Sequence, residues 1–142
     1  MPEVGIHRRG EVDFPSLLKK FRRGLGGEVG AIGCFIGIVR GVSKGGEAVK
    51  SLRYECSDEA LRKLEEIAAD VEKSPNILRV MIHHVVDEIR PGEDAIYVLV
   101  AGRHQSEVCK ALPKIVERVK TEVPIWKKEV TKTNEYWVQE VG

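Results

Sequence analysis

Four residues in this sequence are of types, and in settings, that suit amine chemistry on an anionic ligand: Arg40, His104, Lys120 and Lys127. Lys120 falls at the expected end of a helix, and Pro124 forces a turn after it. Lys127 lies seven residues on, in the next expected strand. A helix end that folds back into a strand brings both amines to one pocket. Two ammonium groups close together disfavour each other's charge, a setting in which one amine can serve as a nucleophile. The other stays charged and holds an anion. Arg40 ends a glycine-rich strand, from which a guanidinium can grip a phosphate with two hydrogen bonds. His104 stands at a strand-to-helix junction, where free backbone N–H groups also favour an anion. Taken singly, each residue reads more simply as a surface charge or a hydrogen-bonded histidine. The anion pocket rests on their combination.

Other chemistries find less support. His83 and His84 are neighbours on an expected strand, so their side chains point to opposite faces and do not share an ion. His7 and His104 are distant in sequence, and no ligand pair has helix or strand spacing. No metal site is expected. Cys34, Cys56 and Cys109 form no C-x-x-C motif and are odd in number. That fits a reducing compartment rather than a disulfide framework. Cys34, in an apolar strand, reads as a small buried hydrophobe. Only Cys109, beside Lys110, approaches the positive, exposed setting of a reactive thiolate. All three read as structural.

The chain has 142 residues, 42% apolar and 32% charged. That length suits one domain with one hydrophobic core. No stretch approaches the roughly 18 uninterrupted apolar residues of a membrane helix. Residues Met1 to Gly10 are polar and short, unlike a signal peptide. The expectation is a cytoplasmic protein without a membrane partner. Net charge is only +1, but residues 103–132 hold eight basic side chains against four acids. Such a local excess suits an anionic ligand or partner, or a solvated helix face.

The elements that must position these groups follow from periodicity. Asp13 caps a first helix, with Pro15 in its first turn and Phe14, Leu17, Leu18 and Phe21 on one stripe. Gly24, Gly26 and Gly27 end it. Val29 to Arg40 reads as a strand whose glycines permit close backbone approach. Val42 to Ala48 is a loop and Val49 to Cys56 a second strand. Ser57 or Asp58 caps a second helix with a stripe of Ala60, Leu61, Leu64, Ile67, Ala68 and Val71. Ile77 to Ile89 and Asp94 to Gly102 read as two strands joined by a turn at Arg90-Pro91-Gly92-Glu93. A third helix starts at Ser106, and Pro113 inside it is expected to kink or divide it. Strands near Trp126 to Val130 and Tyr136 to Val141 close the chain, with Trp126 and Trp137 in the core. Strands and helices do not alternate strictly, so the class is α+β.

Three motifs carry a resemblance to a known family. Phe35-Ile36-Gly37-Ile38-Val39-Arg40 is similar to the F-x-G-x-V-R strand of the molybdopterin synthase large subunit. Ile82-His83-His84 with Glu88 to Glu93 resembles its I-H-R and P-G-E/D hairpin. Lys120 to Glu129 resembles its K-x-x-x-P-I/F-W-K-K/R-E signature, the most specific of the three. The likeness spans about residues 30–138 of a single 142-residue domain. It implies an α+β fold of α/β-hammerhead type, with a mixed sheet and about three helices. It also implies a homodimer at the centre of a heterotetramer. Each large subunit would receive the C-terminal Gly-Gly tail of a small ubiquitin-like sulfur carrier, ending in a thiocarboxylate. The substrate would be cyclic pyranopterin monophosphate, converted to the dithiolene of molybdopterin without a cofactor. On this resemblance Lys120 is the amine nearest the thiocarboxylate and Lys127 the second active lysine. Arg40 and His104 line the pterin-phosphate pocket, bordered by Ile38, Val39, Lys128 and Glu129.

Some positions depart from the family pattern. Gln105 follows His104 where the family commonly has arginine in that pocket. Pro113 replaces a more helix-friendly residue. The chain ends Gln139-Glu140-Val141-Gly142, where many relatives carry a basic residue. Gly33, Gly37 and Gly41 are spaced so that a carrier's backbone could lie close to the strand. Two other functions remain open at this point. One is a nucleic-acid-binding module using the basic C-terminal third, which lacks surface aromatics if both tryptophans are core. The other is a non-catalytic homologue that binds the carrier, against which the intact lysine pair counts.

Overall fold

The structure, a computed structural model, describes residues 2–132 and 134–138. In chain order these form β1 (Glu3–His7), α1 (Phe14–Arg22), β2 (Ala31–Ile38), β3 (Val49–Cys56), α2 (Ala60–Glu72) and β4 (Ile77–Val85). β5 (Glu88–Ile89), β6 (Asp94–Gly102), α3 (Gln105–Glu122), β7 (Ile125–Thr131) and β8 (Glu135–Trp137) follow. The α+β class and the three helices are as expected. The strands, however, divide into two four-stranded sheets, ordered β1-β4-β6-β2 and β5-β3-β7-β8. The first is mixed, because β1 runs parallel to β4 while β4–β6 and β2–β6 are antiparallel. The second is antiparallel throughout. Among the described residues, no helix is long and apolar enough to cross a membrane.

The alternation read in residues 94–102 sorts its side chains as a half-turn period requires. Val98 and Val100 pack with Leu64, Ile67 and Ile115 under α2 and α3. Tyr97, Leu99 and Ala101 pack with Leu17 and Phe21 under α1. Each such large apolar side chain contributes about 1.5–3 kcal/mol when fully buried. A third cluster of Val39, Leu52, Val85, Ile89 and Ala95 joins the two sheets. Asp13 caps α1 as expected, its carboxylate accepting from the Ser16 N–H at 2.9 Å. The turn at 90–93 also forms, with Gly92 at φ 87° and the Glu93 N–H donating to the Arg90 carbonyl at 3.0 Å.

Several expectations need correction. β1 was not foreseen, because its pairing with β4 joins residues far apart, Glu3 with Met81. Ile77 to Ile89 is not one strand. β4 stops at Val85, and Ile89 crosses to pair with Leu52 in the second sheet. Neither Ser57 nor Asp58 is the N-cap of α2; Glu59 is, with no side-chain cap bond, and Ser57 Oγ only accepts the Glu59 N–H at 3.3 Å. Pro113 does not divide α3, which runs unbroken through it. Its ring and Cys109, whose carbonyl loses its helical donor, both lie on the exposed side, where water can replace the bond.

Cys34 is exposed rather than buried, because β2 is the edge of its sheet. Trp126 and Trp137 are 53% and 51% exposed, not core. They share the outer face of the second sheet with Lys128, whose ammonium lies 5.0 Å from the Trp137 ring centre. The final strand covers Glu135–Trp137, and the expectations for residues 139–142 lie outside the described residues.

Candidate active site

α3 ends where the sequence breaks it. The Val123 N–H reaches back to the Val119 carbonyl at 3.3 Å, and the chain then turns tightly at Pro124, with the Ile125 N–H 2.8 Å from the Val123 carbonyl. This turn feeds directly into β7, so Lys120 in the last turn of α3 and Lys127 in β7 face one cavity of about 620 Å³. Phe35, Ile96, Val116 and Val119 make its apolar walls, and Ile38 stands at its edge, 56% exposed. Tyr54 lies directly across the β3/β7 ladder from Lys127. Glu122, also on the wall, is held by Arg118, whose Nε and Nη2 lie 2.7 and 2.9 Å from its two oxygens. That contact keeps the Glu122 carboxyl below its usual range. Lys120 has no ion-pair partner among the described residues.

The cavity draws in a residue that no sequence reading placed there. His84 lies on its wall, buried at 6% exposure. Its Nδ1 donates to the Val85 carbonyl at 2.9 Å. Burial pushes its pKa down to about 4, against the Val85 bond and with help from the charge on Lys127. Strand alternation separates His84 from His83, as expected, but the sequence alone does not say which of the two faces the lysines. His83 points to the α1 side, where its Nδ1 lies 2.7 Å from His7 Nε2. Among the described residues, no group of three or more His, Cys, Asp or Glu side chains is arranged to hold a metal ion.

The other candidates lie elsewhere. Val39 is buried in the inter-sheet cluster, and Arg40 is exposed just past the end of β2, two residues beyond Ile38. Lys128 projects from the opposite face of β7 and pairs with Glu135 at 3.6 Å. Glu129 accepts a hydrogen bond from the Tyr136 hydroxyl. His104 is the N-cap of α3, its Nδ1 2.8 Å from a Glu107 carboxylate oxygen, and exposed Gln105 begins the helix. At 1.5 Å per residue, His104 stands about 24 Å along α3 from Lys120. One chain therefore brings Ile38, Lys120 and Lys127 together and leaves His104 and Gln105 at the far end. The glycines also serve a different purpose. A Cβ on Gly33 would lie 2.7 Å from Leu112 and Val108, and one on Gly37 2.6 Å from Ile96. The space they leave is filled by α3 and β6, not open to a peptide.

The fold and this cavity define a class: an α+β protein with two lysines on one cavity at a helix-to-strand turn. A family model described as MoaE protein matches residues 6–122. A molybdopterin synthase catalytic subunit of Pyrococcus abyssi is 37% identical over 111 residues, covering 78% of this chain and 74% of that protein. The crystal structure of molybdopterin synthase from Staphylococcus aureus superposes with a TM-score of 0.83 at 27% identity, covering 95% of this chain and 96% of that one. A complex of subunits 1 and 2 of the molybdopterin-converting factor from Helicobacter pylori shares the fold, with a TM-score of 0.77 at 19% identity over 96% of this chain and 90% of that one.

The chain belongs to the MoaE family of molybdopterin synthase catalytic subunits. It is an enzyme of molybdenum cofactor biosynthesis. Exposed tryptophans beside lysine are what a nucleic-acid surface would show. Family membership, not a lack of surface aromatics, favours the synthase reading over that one.

Proposed function

We propose that this chain moves sulfur from the C-terminal thiocarboxylate of a small ubiquitin-like carrier to cyclic pyranopterin monophosphate, two sulfurs making the dithiolene. The observation that carries this reading is the placement of Lys120 and Lys127 on one largely apolar cavity at the end of α3. A Gly-Gly tail has no side chains and suits a confined apolar site, and ammonium groups at its end suit a terminal anion. In each transfer the thiocarboxylate sulfur bonds to a side-chain carbon of the pterin and displaces the oxygen that carbon carries, which leaves as water or as the freed phosphate-ester oxygen. The carrier's C–S bond then breaks with water supplying oxygen, so the carrier leaves as a carboxylate. Lys120 is the amine nearest the thiocarboxylate, and Lys127 with Arg40 holds the substrate's phosphate. Ile38 borders this region, while Val39, Lys128 and Glu129, outside the cavity's lining, support it from the strands around it. No cofactor is invoked, and the reaction belongs in the cytoplasm.

His104 and Gln105 reach such a phosphate only from a second copy of the chain, because α3 holds them about 24 Å from Lys120 within one chain. A homodimer whose sites are shared, flanked by two carriers, satisfies this. The Helicobacter pylori complex, in which two different subunits associate, supports a heteromeric assembly. Incubating the chain with thiocarboxylated carrier and cyclic pterin tests the reading. Dithiolene formation is expected; a chain that binds carrier without turnover would be a non-catalytic homologue instead.

A further inference from the structure

His84 offers the cavity an acceptor of hydrogen bonds. Its Nδ1 lies 2.9 Å from the Val85 carbonyl oxygen, which can only accept, so Nδ1 carries the proton. In a neutral ring Nε2 is then a bare lone pair. The ring stays neutral through the physiological range because burial drives its pKa to about 4. Tyr54 packs against it edge-on, ring centres 5.2 Å apart and planes at 67°, which fixes the ring's orientation. Nε2 has no hydrogen-bond partner among the described residues, and no buried side-chain nitrogen or oxygen there goes without one. Nε2 therefore reaches open space, and the space this wall adjoins is the cavity of Lys120 and Lys127.

An extended peptide entering an apolar cavity brings one N–H per residue, and each needs an acceptor once water is excluded. The lysines supply only donors. Glu122, the carboxylate on the wall, is already engaged by Arg118. We propose that His84 is a ligand-binding residue whose Nε2 accepts the backbone N–H of one of the carrier's two terminal glycines. The assignment rests on the carrier reading above. It gives the cavity a polarity that matches a peptide: an acceptor for the tail's N–H and ammonium donors for its terminal anion. The tail is thereby held with its thiocarboxylate toward the lysines.

The test uses full-length carrier in which each of the last two peptide linkages is replaced in turn by an ester, removing one N–H at a time. Affinities for the full chain are read by calorimetry. Wild type should bind one of the two esters about threefold to tenfold more weakly than the amide, the range for one hydrogen bond. His84→Phe should bind amide and ester alike, and His84→Gln, which keeps an acceptor, should retain part of the difference. Circular dichroism checks that both variants fold, and His84→Gln serves alone if His84→Phe does not. Equal binding of amide and both esters by wild type would overturn the proposal. So would an undiminished ester penalty in His84→Phe, or a loss of pterin affinity in that variant without loss of carrier affinity. Failure of wild type to bind even the unmodified carrier would instead remove the carrier reading, and this assignment with it.

Discussion

His7 Nε2 lies 2.7 Å from His83 Nδ1, and the two rings meet over the bare Cα of Gly5. The contact continues along the same face of β1. His83 Nε2 lies 2.7 Å from a Glu3 oxygen, and the other Glu3 oxygen lies 3.0 Å from the Lys20 ammonium. A carboxylate only accepts, so His83 Nε2 donates to it, and a neutral His83 then accepts from His7. Burial would raise the Glu3 pKa, but bonds from Lys20 and His83 overcome it and hold the carboxyl below its usual range. This chain of contacts ties β1 to β4 and to α1.

Gly5→Ala should therefore cost stability. Its Cβ would sit 2.6 Å from His7 Nε2 and 2.7 Å from His83 Nδ1, both in rings rather than flexible chain ends. Overpacking of this kind costs about 1–3 kcal/mol. Urea unfolding should show the loss, with turnover per folded molecule retained because the lysine cavity lies on the other face of β4. Unchanged stability would mean that the two rings can swing apart freely.

Acid should destabilise the fold through its buried histidines before its carboxylates titrate. Unfolded, His84 takes up a proton near pH 6.5; folded, it resists until about 4. Between those values the unfolded chain binds the extra proton, so stability is full above pH 6.5 and falls as pH drops. The loss approaches about 3 kcal/mol by pH 4. His83, lowered chiefly by burial, adds in the same direction. Thermal midpoints measured from pH 7 to 4 should decline, and His84→Gln should flatten the slope.

Lys120→Ala should lower turnover by at least about a hundredfold, as for loss of a positioned nucleophile or acid–base group. Its fold should be unaffected, since an exposed lysine rarely contributes much stability. Purified Lys120→Ala with wild-type activity would take this residue out of the mechanism.

Arg40→Ala and Lys127→Ala should each weaken binding of the cyclic pterin by about 1.5–3 kcal/mol, the range for a hydrogen bond to a charged group. Calorimetry reads this directly. Unaltered affinity in both variants would place the phosphate elsewhere.

Sharing of each site between two protomers predicts complementation. Lys120→Ala and His104→Ala should each be impaired alone. Mixed and allowed to exchange subunits, they should recover about a quarter of wild-type activity, because half the dimers are hybrids with one intact site each. No recovery on mixing, with exchange shown by mass spectrometry, would confine each site to one chain.

Local chemistry made much of this protein legible in advance. The cap and stripe of α1, the stripe of α2 apart from exposed Leu61, the two faces of β6, the turn at Gly92 and the lysines flanking Pro124 all depend on neighbours within a few residues. Side-chain period and turn preference act at that range. Distant pairings were not legible. β1 and the transfer of Ile89 between sheets depend on partners tens of residues away, and nothing in their own spacing names those partners. Likewise, a tryptophan's type favours burial, but Trp126 and Trp137 lie on a strand face that no layer among the described residues covers. The sequence by itself determined the family, the α+β class and the two cationic side chains at a helix end. Only the tertiary structure decided which histidine meets them. Alternation puts His83 and His84 on opposite faces, and it took the packing of α1 on one side and of α2 and α3 on the other to send His83 to Glu3 and His84 to the lysines.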